Sequence, residues 1–406
     1  MTDTSTITGQ LPVTPPAGLC PGCRASTLRL LLETSAPVHT SKLLDTREAA
    51  VRYPRGPIRL ELCETCGLIT NTAFDAPGHD YSASYEETQA FSPRFREFAG
   101  GLASTLAERH DLAGADVLEI GCGRGDFLLQ LCETAGCNGI GVDPSFREDR
   151  LEGPAADSVS VRRSFFSPAD VDRDFALVVC RHTLEHVHDV HEFLVRLRSS
   201  LDAAPQTPVF FEVPDTGRIL RETAFWDMFY EHVSYFTPGS LARAFRAAGF
   251  EPTALELGFD DQYILLTAMP ADQPADRAEL SLEESAETVA SQAEDFVRDL
   301  DATRALWATK LRERRARGET SVVWGAGSKG VGFLSTLGLS DEITCAVDVN
   351  PAKHGMFMPG TGHEIVAPER LREVRPGLVI VMNPIYTDEI RRDLEQLGVK
   401  TTVEAV

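Results

Sequence analysis

From residue 116 onward, short apolar runs alternate with segments of helical periodicity. The first four runs, each rich in branched or aromatic residues, are VLEI, GIGV, FALVV and VFFEV. Strands that alternate with helices in this way are typical of a doubly wound parallel sheet. The alternation returns near the end of the chain in SVVW, EITCAV and LVIVMN. We therefore predict an α/β fold with a central doubly wound domain over residues 76–275 and a smaller Rossmann-like α/β domain over 319–406.

Two other segments have apolar residues on one helical face. The first begins near Phe95 and predicts a helix that docks the N-terminal part of the chain on the central domain. The second, within residues 276–318, predicts a long linking helix. Its apolar face consists of Val289, Ala293, Phe296, Leu300, Trp307 and Leu311. Residues 1–16 are rich in Thr and Pro, without a periodic pattern, and we expect them to form a mobile tail.

Two C-x-x-C pairs stand near the N-terminus, Cys20 with Cys23 and Cys63 with Cys66. Four thiolates can close a tetrahedral zinc site, and structural sites of this kind leave no coordination position open. The 39 residues between the pairs exceed the spacing of a compact zinc ribbon, so a loop or small sheet must separate them. We predict a zinc-binding domain over residues 17–75 with one structural Zn²⁺. The alternative is four buried or unpaired cysteines.

Charge and composition narrow the range of partners. The chain has 39 basic and 61 acidic residues, a formal net charge of −22, so it does not attract phosphate backbones and we expect no nucleic-acid partner. No apolar run approaches the roughly 18 residues of a membrane span, and no secretory signal pattern opens the chain. Nine cysteines fit a reducing compartment. We therefore expect a cytoplasmic protein with no membrane partner.

A glycine-rich turn follows the first strand of the central domain. Glu119 stands at the strand end, Gly121, Gly123 and Gly125 follow, and Asp126 opens the next helix. Glycines let the backbone turn sharply and approach a ligand closely. The third glycine comes one residue earlier than in the dinucleotide pattern G-x-G-x-x-G. This variant resembles motif I of class I methyltransferases, in which the loop wraps the amino-acid end of S-adenosylmethionine.

The ends of the next strands supply further candidate residues for this cofactor. Asp143 ends the second strand, 22 residues after Gly121, where a carboxylate can accept both ribose hydroxyls. Phe165 follows the third strand and is a candidate to face adenine. Arg181 and His182 end the fourth strand, at the edge where open α/β sheets bind ligands, so we expect them to face cofactor and substrate.

The segment after the fourth strand, HTLEHVHD, contains three histidines. His182 and Glu185 are candidates for a functional role. His186 and His188 stand at a predicted helix start, and we expect them to be capping or surface groups.

A second glycine loop, WGAGSKG, follows the first strand of the C-terminal domain. Its spacing fits G-x-G-x-x-G, and Asp348 follows Gly325 by 23 residues at a strand end, which taken alone indicates NAD. Lys329, inside the loop, suits a substrate diphosphate better than it suits a dinucleotide turn. A diphosphate site, a dinucleotide site and a plain structural turn therefore remain open at this point.

Taken together, CPGC, CETC, VLEIGCGRGD, RHTLEHVHD, FYEHVSYFTPGSL and VVWGAGSKG resemble the nucleotide-sugar C-methyltransferase family, whose members add a branch methyl to keto-deoxysugars. The resemblance covers nearly the whole chain. It implies a zinc-binding domain, an S-adenosylmethionine domain and a C-terminal Rossmann-like domain that enclose the nucleotide sugar. It also implies that the second loop binds substrate and not NAD. The expected substrate-binding residues are Gly325, Gly327, Ser328, Lys329, Tyr81 and Tyr85.

The family's catalytic signature reads Tyr-His-Glu-His, and Glu231 and His232 match its last two positions. A sugar carbon attacks a methyl group only as an enolate, which requires a base and a donor to the oxyanion. His232 suits the base because the ordinary pKa of histidine is about 6.5. Glu231 would orient His232 or contact a sugar hydroxyl.

Phe229 replaces the leading tyrosine of the signature, so another group must donate to the enolate oxygen, or else the acceptor is different. The candidates for that part of the catalytic site are Tyr230, Tyr85 and Tyr81, and His182 is an alternative base.

Three other functions remain open. They are O- or N-methylation of another small metabolite, an NAD-dependent oxidoreductase that uses the second loop, and a non-enzymatic zinc ribbon. The leading expectation is an enzyme with a small-molecule nucleotide-sugar substrate, acting as a monomer or weak homo-oligomer.

Overall fold

The structure is a computed structural model that describes residues 14–75, 91–147, 151–271 and 279–406. These residues form an N-terminal sheet, a mixed central sheet and a C-terminal parallel sheet. The predicted α/β fold class is confirmed. Among these residues, no helix has both the length and the apolar character needed to cross a membrane.

The N-terminal sheet is antiparallel and has four strands in the order β1-β2-β3-β9. Its first three strands are β1 (Leu28–Pro37), β2 (Arg55–Cys63) and β3 (Ile69–Asn71), and helix α1 (Arg47–Val51) lies between β1 and β2. The fourth strand, β9 (Ser234–Tyr235), comes from the later part of the chain and pairs with β3. The segment that contains Glu231 and His232 therefore continues directly into the sheet of the cysteine-rich module.

The central sheet has seven strands in the order β10-β11-β8-β7-β4-β5-β6. Its strands are β4 (Asp116–Ile120), β5 (Asn138–Val142), β6 (Val159–Arg162), β7 (Leu177–Arg181), β8 (Val209–Pro214), β10 (Phe250–Gly258) and β11 (Tyr263–Pro270). Only β11 runs antiparallel to its neighbours in this sheet, because it returns as a hairpin from β10. The carboxyl ends of β4, β5, β7 and β8 meet at one edge, where the candidate residues lie.

Helices cover this sheet, and the central strands are buried on both faces. The helices are α2 (Pro93–His110), α3 (Asp126–Ala135), α4 (Val190–Ser200), α5 (Thr216–Glu222) and α6 (Pro238–Ala247). Helix α2 buries Leu102 and Leu106 and packs against α3. The apolar periodicity predicted that this helix docks the cysteine-rich module on the central domain. Among the described residues, α2 does not do so. That module instead contacts α4 and α6, through hydrogen bonds from the His191 N–H to the Pro21 carbonyl (2.7 Å) and from Arg243 to the Cys66 carbonyl (3.0 Å).

The predicted linking helix is α7 (Ala286–Ala316), and all six residues of its predicted apolar face are buried. The C-terminal sheet that follows is parallel, with the order β14-β13-β12-β15-β16. Its strands are β12 (Ser321–Trp324), β13 (Ala346–Val347), β14 (Ile365–Val366), β15 (Leu378–Val381) and β16 (Thr402–Ala405), and its helices are α8 (Ser328–Leu337), α9 (Leu371–Val374) and α10 (Thr387–Leu397). The second glycine loop connects β12 to α8.

Candidate active site and metal centre

The four predicted zinc ligands lie together, with all sulfur atoms within 4.8 Å of one another. The Sγ atoms of Cys20 and Cys66 are 3.7 Å apart, as are those of Cys23 and Cys63. A tetrahedral zinc ion with Zn–S bonds of about 2.3 Å requires sulfur–sulfur distances of about 3.8 Å. Both pairs therefore match the geometry of a four-thiolate zinc site.

The local sequence shapes this cluster. Gly67 has φ +75° just after the second pair, and the Gly22 N–H lies 3.4 Å from the Cys20 sulfur. Hydrogen bonding with the other three thiols, together with burial, raises the pKa of Cys66. Four thiolates at this spacing repel one another, so a bound cation is the simplest way to stabilise them together.

The first glycine loop forms the predicted strand-turn-helix. Its glycines all have left-handed backbone angles, with φ +71° at Gly121, +54° at Gly123 and +81° at Gly125. A Cβ at Gly121 would lie 2.0 Å from the Thr183 hydroxyl, whereas one at Gly123 would meet nothing within 4 Å. The loop thus packs tightly on one side and leaves open space at its tip. Asp126 begins α3 immediately after the loop.

Two carboxylates lie beside this loop. Asp143 follows β5, and its Oδ2 accepts a hydrogen bond from the Gly123 N–H at 2.8 Å, while its Oδ1 accepts from the Ser145 N–H and hydroxyl. Glu119 is 3% exposed, and burial raises its pKa to about 8. Its Oε2 has no hydrogen-bond partner among the described residues. A positively charged ligand at the loop would stabilise the ionised form of Glu119. These features fit a sulfonium cofactor.

Arg181 and His182 share one buried carboxylate. Arg181 forms a bidentate ion pair with Glu212 at 2.8 and 3.0 Å, and its guanidinium lies 4.0 Å above the Phe127 ring. His182 Nε2 lies 2.6 Å from the same carboxylate. Although burial opposes ionisation, Glu212 and Glu185 raise the pKa of His182 to about 9. His182 is therefore a cation near neutral pH, which makes it a poor candidate for a general base.

Phe165 lies in the loop after β6 and is half-buried. A contact with adenine there remains a prediction. Tyr81 and Tyr85 lie outside the described residues.

The side chain of Glu231 is 6% exposed and is held by Thr40, a residue of the loop between β1 and α1. Its Oε1 accepts hydrogen bonds from the Thr40 N–H at 2.7 Å and from the Thr40 hydroxyl. Its Oε2 is buried and has no partner among the described residues. Burial raises the pKa of Glu231, and the two bonds from Thr40 oppose that rise.

His232 lies beside His186, with ring centroids 4.9 Å apart and ring planes at 85°. The Nδ1 of His186 lies 2.9 Å from the Glu231 carbonyl oxygen, which fixes the orientation of that ring. Burial, together with the neighbouring His186, lowers the pKa of His232 to about 3. Its imidazole is therefore neutral at pH 7, the form that a base requires, but it is less basic than an ordinary histidine.

Neither of the nearest tyrosines simply replaces the missing signature tyrosine. The ring of Phe229 packs edge-on against His232 at 4.8 Å. The Tyr235 hydroxyl accepts from the Phe229 N–H and donates to the Phe229 carbonyl, each at 3.0 Å. The Tyr230 hydroxyl accepts from the Asp75 N–H at 3.0 Å, at the boundary of the N-terminal module. The donor to an enolate oxygen thus remains unassigned among the described residues.

The second glycine loop, which belongs to the C-terminal domain, approaches Thr40 and Glu231. The Ser328 hydroxyl lies 2.8 Å from the Thr40 hydroxyl. One hydroxyl proton can serve only one acceptor, so when Thr40 donates to Glu231 it accepts from Ser328. Gly325 has φ +114°, and Gly327 precedes the first turn of α8 without a side-chain cap. The loop is therefore connected to Glu231 through a single threonine.

Lys329, the next residue, is also directed toward the central domain. Its Nζ lies 3.0 Å from Asp227 Oδ2 and 3.4 Å from Gln262 Oε1. Arg218 contacts the same Asp227 oxygen at 2.5 Å. Burial lowers the pKa of Lys329, and Asp227 opposes that change. Two cationic side chains thus converge near the loop, with one carboxylate between them.

Asp348 stands at the position that a dinucleotide ribose would require, but its carboxylate already has partners within the protein. Its Oδ2 pairs with Lys353 Nζ at 3.0 Å and accepts from the Ala326 N–H at 3.1 Å. Its Oδ1 accepts from the Asn350 N–H at 2.9 Å. The backbone bonds resemble those of Asp143, but the ion pair with Lys353 has no counterpart at Asp143 among the described residues and does not favour the NAD interpretation.

Sequence reasoning missed two residues of this arrangement. His186 was expected to be a cap or surface group, and Thr40 was not considered. His188, expected with His186, is 8% exposed and packs against Phe74 at 5.4 Å. Only His186 had a sequence signal, since it belongs to the histidine-rich segment after β7.

Comparisons with known proteins agree with the architecture. The methyltransferase domain family matches residues 91–255, and the C-methyltransferase C-terminal domain family matches residues 268–402. C-methyltransferase NovU of Streptomyces niveus is 29% identical over 358 residues, which cover 82% of this chain and 82% of NovU.

Among solved structures, the 1,6-didemethyltoxoflavin-N1-methyltransferase of Burkholderia thailandensis is 22% identical, with a TM-score of 0.33 and coverage of 44% of this chain and 80% of that one. The magnesium protoporphyrin IX methyltransferase of Synechocystis PCC 6803 is 15% identical, with a TM-score of 0.34 and coverage of 44% and 84%. These scores add nothing to the family matches. Those matches, which span both α/β domains, and the likeness to NovU lead to one conclusion: the chain is an S-adenosylmethionine-dependent methyltransferase with a C-methyltransferase C-terminal domain, homologous to C-methyltransferase NovU.

Proposed function

We propose that the protein methylates a carbon atom of a nucleotide-linked keto sugar, through an enolate formed by His232. The observation that supports this most directly is the hydrogen-bonded connection from Glu231 through Thr40 to Ser328. It joins Glu231, the residue before the proposed base, to the loop proposed to hold the substrate diphosphate. A substrate with its diphosphate at α8 would have its sugar near Glu231 and His232.

S-adenosylmethionine supplies a methyl group already activated by its positive sulfur, so the protein must mainly activate the acceptor. The neutral His232 removes the proton α to the ketone, and the electrons of that C–H bond form the enolate. The enolate carbon then bonds to the methyl carbon while the carbon–sulfur bond breaks. The Oε2 of Glu231, which has no hydrogen-bond partner in the described part of the chain, is available for a sugar hydroxyl.

The four-cysteine cluster has a structural role in this proposal. Cys20, Cys23, Cys63 and Cys66 would bind one Zn²⁺ with no open position, so the metal would take no part in the reaction. The Arg24 side chain, one residue after Cys23, forms an ion pair with Asp189 at 2.7 Å. Metal binding would therefore fix the module on the segment that contains His186.

The proposal is tested by incubating the zinc-loaded enzyme and S-adenosylmethionine with a panel of nucleotide-linked keto sugars in heavy water. We expect one sugar to gain a methyl group on carbon. The same sugar, incubated with the enzyme and S-adenosylhomocysteine in place of the methyl donor, should exchange its α-proton for deuterium. Methylation on oxygen or nitrogen, without α-exchange, would instead support the alternative of an O- or N-methyltransferase.

Asp143→Ala is expected to weaken the binding of S-adenosylmethionine. The substitution removes the carboxylate proposed for the ribose hydroxyls and also the partner of the Gly123 N–H. A hydrogen bond to a charged group contributes about 1.5–3 kcal/mol, so affinity should fall roughly ten- to hundredfold. Calorimetry checks this, with Asp157→Ala, on an exposed turn, as the control. Unchanged affinity in the Asp143 variant would contradict the assignment.

Lys329→Gln is expected to raise the KM for the nucleotide sugar about tenfold or more, since it removes a cation proposed for the diphosphate. S-adenosylmethionine affinity should not change. Lys310→Gln is a matched control. Lys310 belongs to α7 and pairs with Glu404 of β16, outside the glycine loop. An unchanged KM for the Lys329 variant would show that the loop is only a structural turn. Tight binding of NAD to the wild-type protein would favour the alternative of an NAD-dependent oxidoreductase.

A further inference from the structure

A second group of potential metal ligands lies apart from the four cysteines. One ligand atom from each of Glu185, His186 and His232 lies within 4.8 Å of the others. Two imidazoles and one carboxylate form a ligand set that Zn²⁺ and neighbouring transition-metal ions prefer, as opposed to Mg²⁺ or Ca²⁺. The proposed methyl transfer uses only His232 of these three, as a base.

His186 makes a hydrogen bond of the kind that metal-binding histidines usually make. Its Nδ1 lies 2.9 Å from the Glu231 carbonyl, which can only accept a hydrogen bond, so Nδ1 carries the proton and Nε2 keeps its lone pair. Metal-binding histidines usually donate their other ring N–H in this way to a backbone carbonyl or carboxylate. The contact therefore prepares Nε2 for a cation.

Glu185 supplies an independent observation. It is 2% exposed, and its Oε2 has no hydrogen-bond partner among the described residues. A buried carboxylate oxygen without a partner is unfavourable, and a cation would satisfy it. The Glu185 backbone is held in place by a hydrogen bond from the Val233 N–H at 2.8 Å. This bond holds the Glu185 backbone beside the His232 segment and leaves its side chain able to rotate.

One neighbouring group bears on whether a cation can bind here. His182 Nδ1 lies 3.8 Å from the Glu185 carboxylate, so a proton on that ring would oppose the ion, but His182 Nε2 faces the Glu212 carboxylate at 2.6 Å.

We propose that Glu185, His186 and His232 bind a transition-metal dication such as Zn²⁺, and that binding inhibits the enzyme. Metal–ligand bonds of about 2.0–2.1 Å require the three ligand atoms to move closer than 4.8 Å, which side-chain rotation can provide. The ion takes the lone pair of His232, which then cannot accept a proton. Binding is independent of the proposed function, whereas inhibition rests on it.

The test begins with protein that holds one zinc per chain. Equilibrium dialysis against Zn²⁺ should reveal a second, weaker equivalent, and methyl transfer should fall as that equivalent binds and recover when a weak chelator removes it. Glu185→Gln and His186→Asn should each lower the affinity of the second site about tenfold or more, with the first zinc retained. His191→Asn, in α4, is the control and should bind two equivalents as the wild type does.

Each outcome decides a separate point. A wild type that binds only one zinc, or variants that bind the second zinc unchanged, would overturn the site. If the site binds zinc but saturation leaves turnover unaffected or raises it, then the inhibitory role is wrong, and so is the assignment of His232 as base. If circular dichroism shows that either Glu185→Gln or His186→Asn is poorly folded, the zinc affinity of the other variant decides whether the site exists.

Discussion

His232→Ala is expected to lower turnover about 10²–10⁴-fold, the range typical of losing a general base. The neutral imidazole is the proposed acceptor of the α-proton, and Ala leaves no group in its place. The glycine loop after β4 and Asp143 belong to the central sheet, whereas His232 precedes β9 of the N-terminal sheet, so the binding of S-adenosylmethionine should stay near normal. Deuterium exchange at the sugar α-carbon should fall together with turnover.

Comparing deuterium exchange at the sugar α-carbon with methyl transfer separates the possible roles of His232. A variant that exchanges the α-proton at the native rate but does not methylate would show that another residue is the base. Tyr85 or Tyr230 would then be the candidates, because the pKa of His182, raised to about 9, leaves its ring protonated. Tyr235→Phe is a useful control for damage to the segment, since it removes only the hydroxyl that holds the Phe229 backbone.

The pH dependence gives a further readout of the same prediction. Catalysis requires the deprotonated imidazole, so activity is lost as pH falls through the pKa of His232. Because burial lowers that pKa to about 3, kcat/KM of the free enzyme should show no acid limb near 6.5. A midpoint near 6.5 that disappears in a histidine variant would identify an unshifted histidine as the base.

Cys63→Ser is expected to remove the bound zinc and most of the activity. Metal binding supplies folding free energy to a small module, so three remaining thiolates should not hold the β1–β3 sheet in place. Since β9 begins two residues after His232 and pairs with β3, the damage should reach the catalytic segment. Turnover should fall further than the affinity for S-adenosylmethionine, whose loop lies in the central sheet.

Metal analysis and thermal unfolding check this expectation. Wild-type protein should contain about one zinc per chain, and the variant should contain little and unfold at a lower temperature. Cys345→Ser is the matched control, because Cys345 is a buried cysteine of the C-terminal sheet outside the cluster. A full zinc equivalent in the Cys63 variant would show that this residue is not a ligand.

The regular elements could be predicted because their signals are local. The apolar runs coincide with β4, β5, β7 and β8, and the C-x-x-C pairs converge as expected. Thr40 could not be predicted, because its contact with Glu231 joins residues 191 positions apart and a single loop threonine has no distinguishing pattern. His186 was misjudged because a short 3₁₀ turn, Leu184–His186, and not the expected helix start, directs it toward Glu231.

The two-residue strand β9 also has a consequence for how the chain folds as it is synthesised. Domains generally fold as units in order from the N-terminus. Here the open edge of β3 has no partner until residues 234 and 235 have left the ribosome. During that interval all four cysteines are already available, so early zinc capture would hold the unfinished sheet together and limit its pairing with other nascent chains.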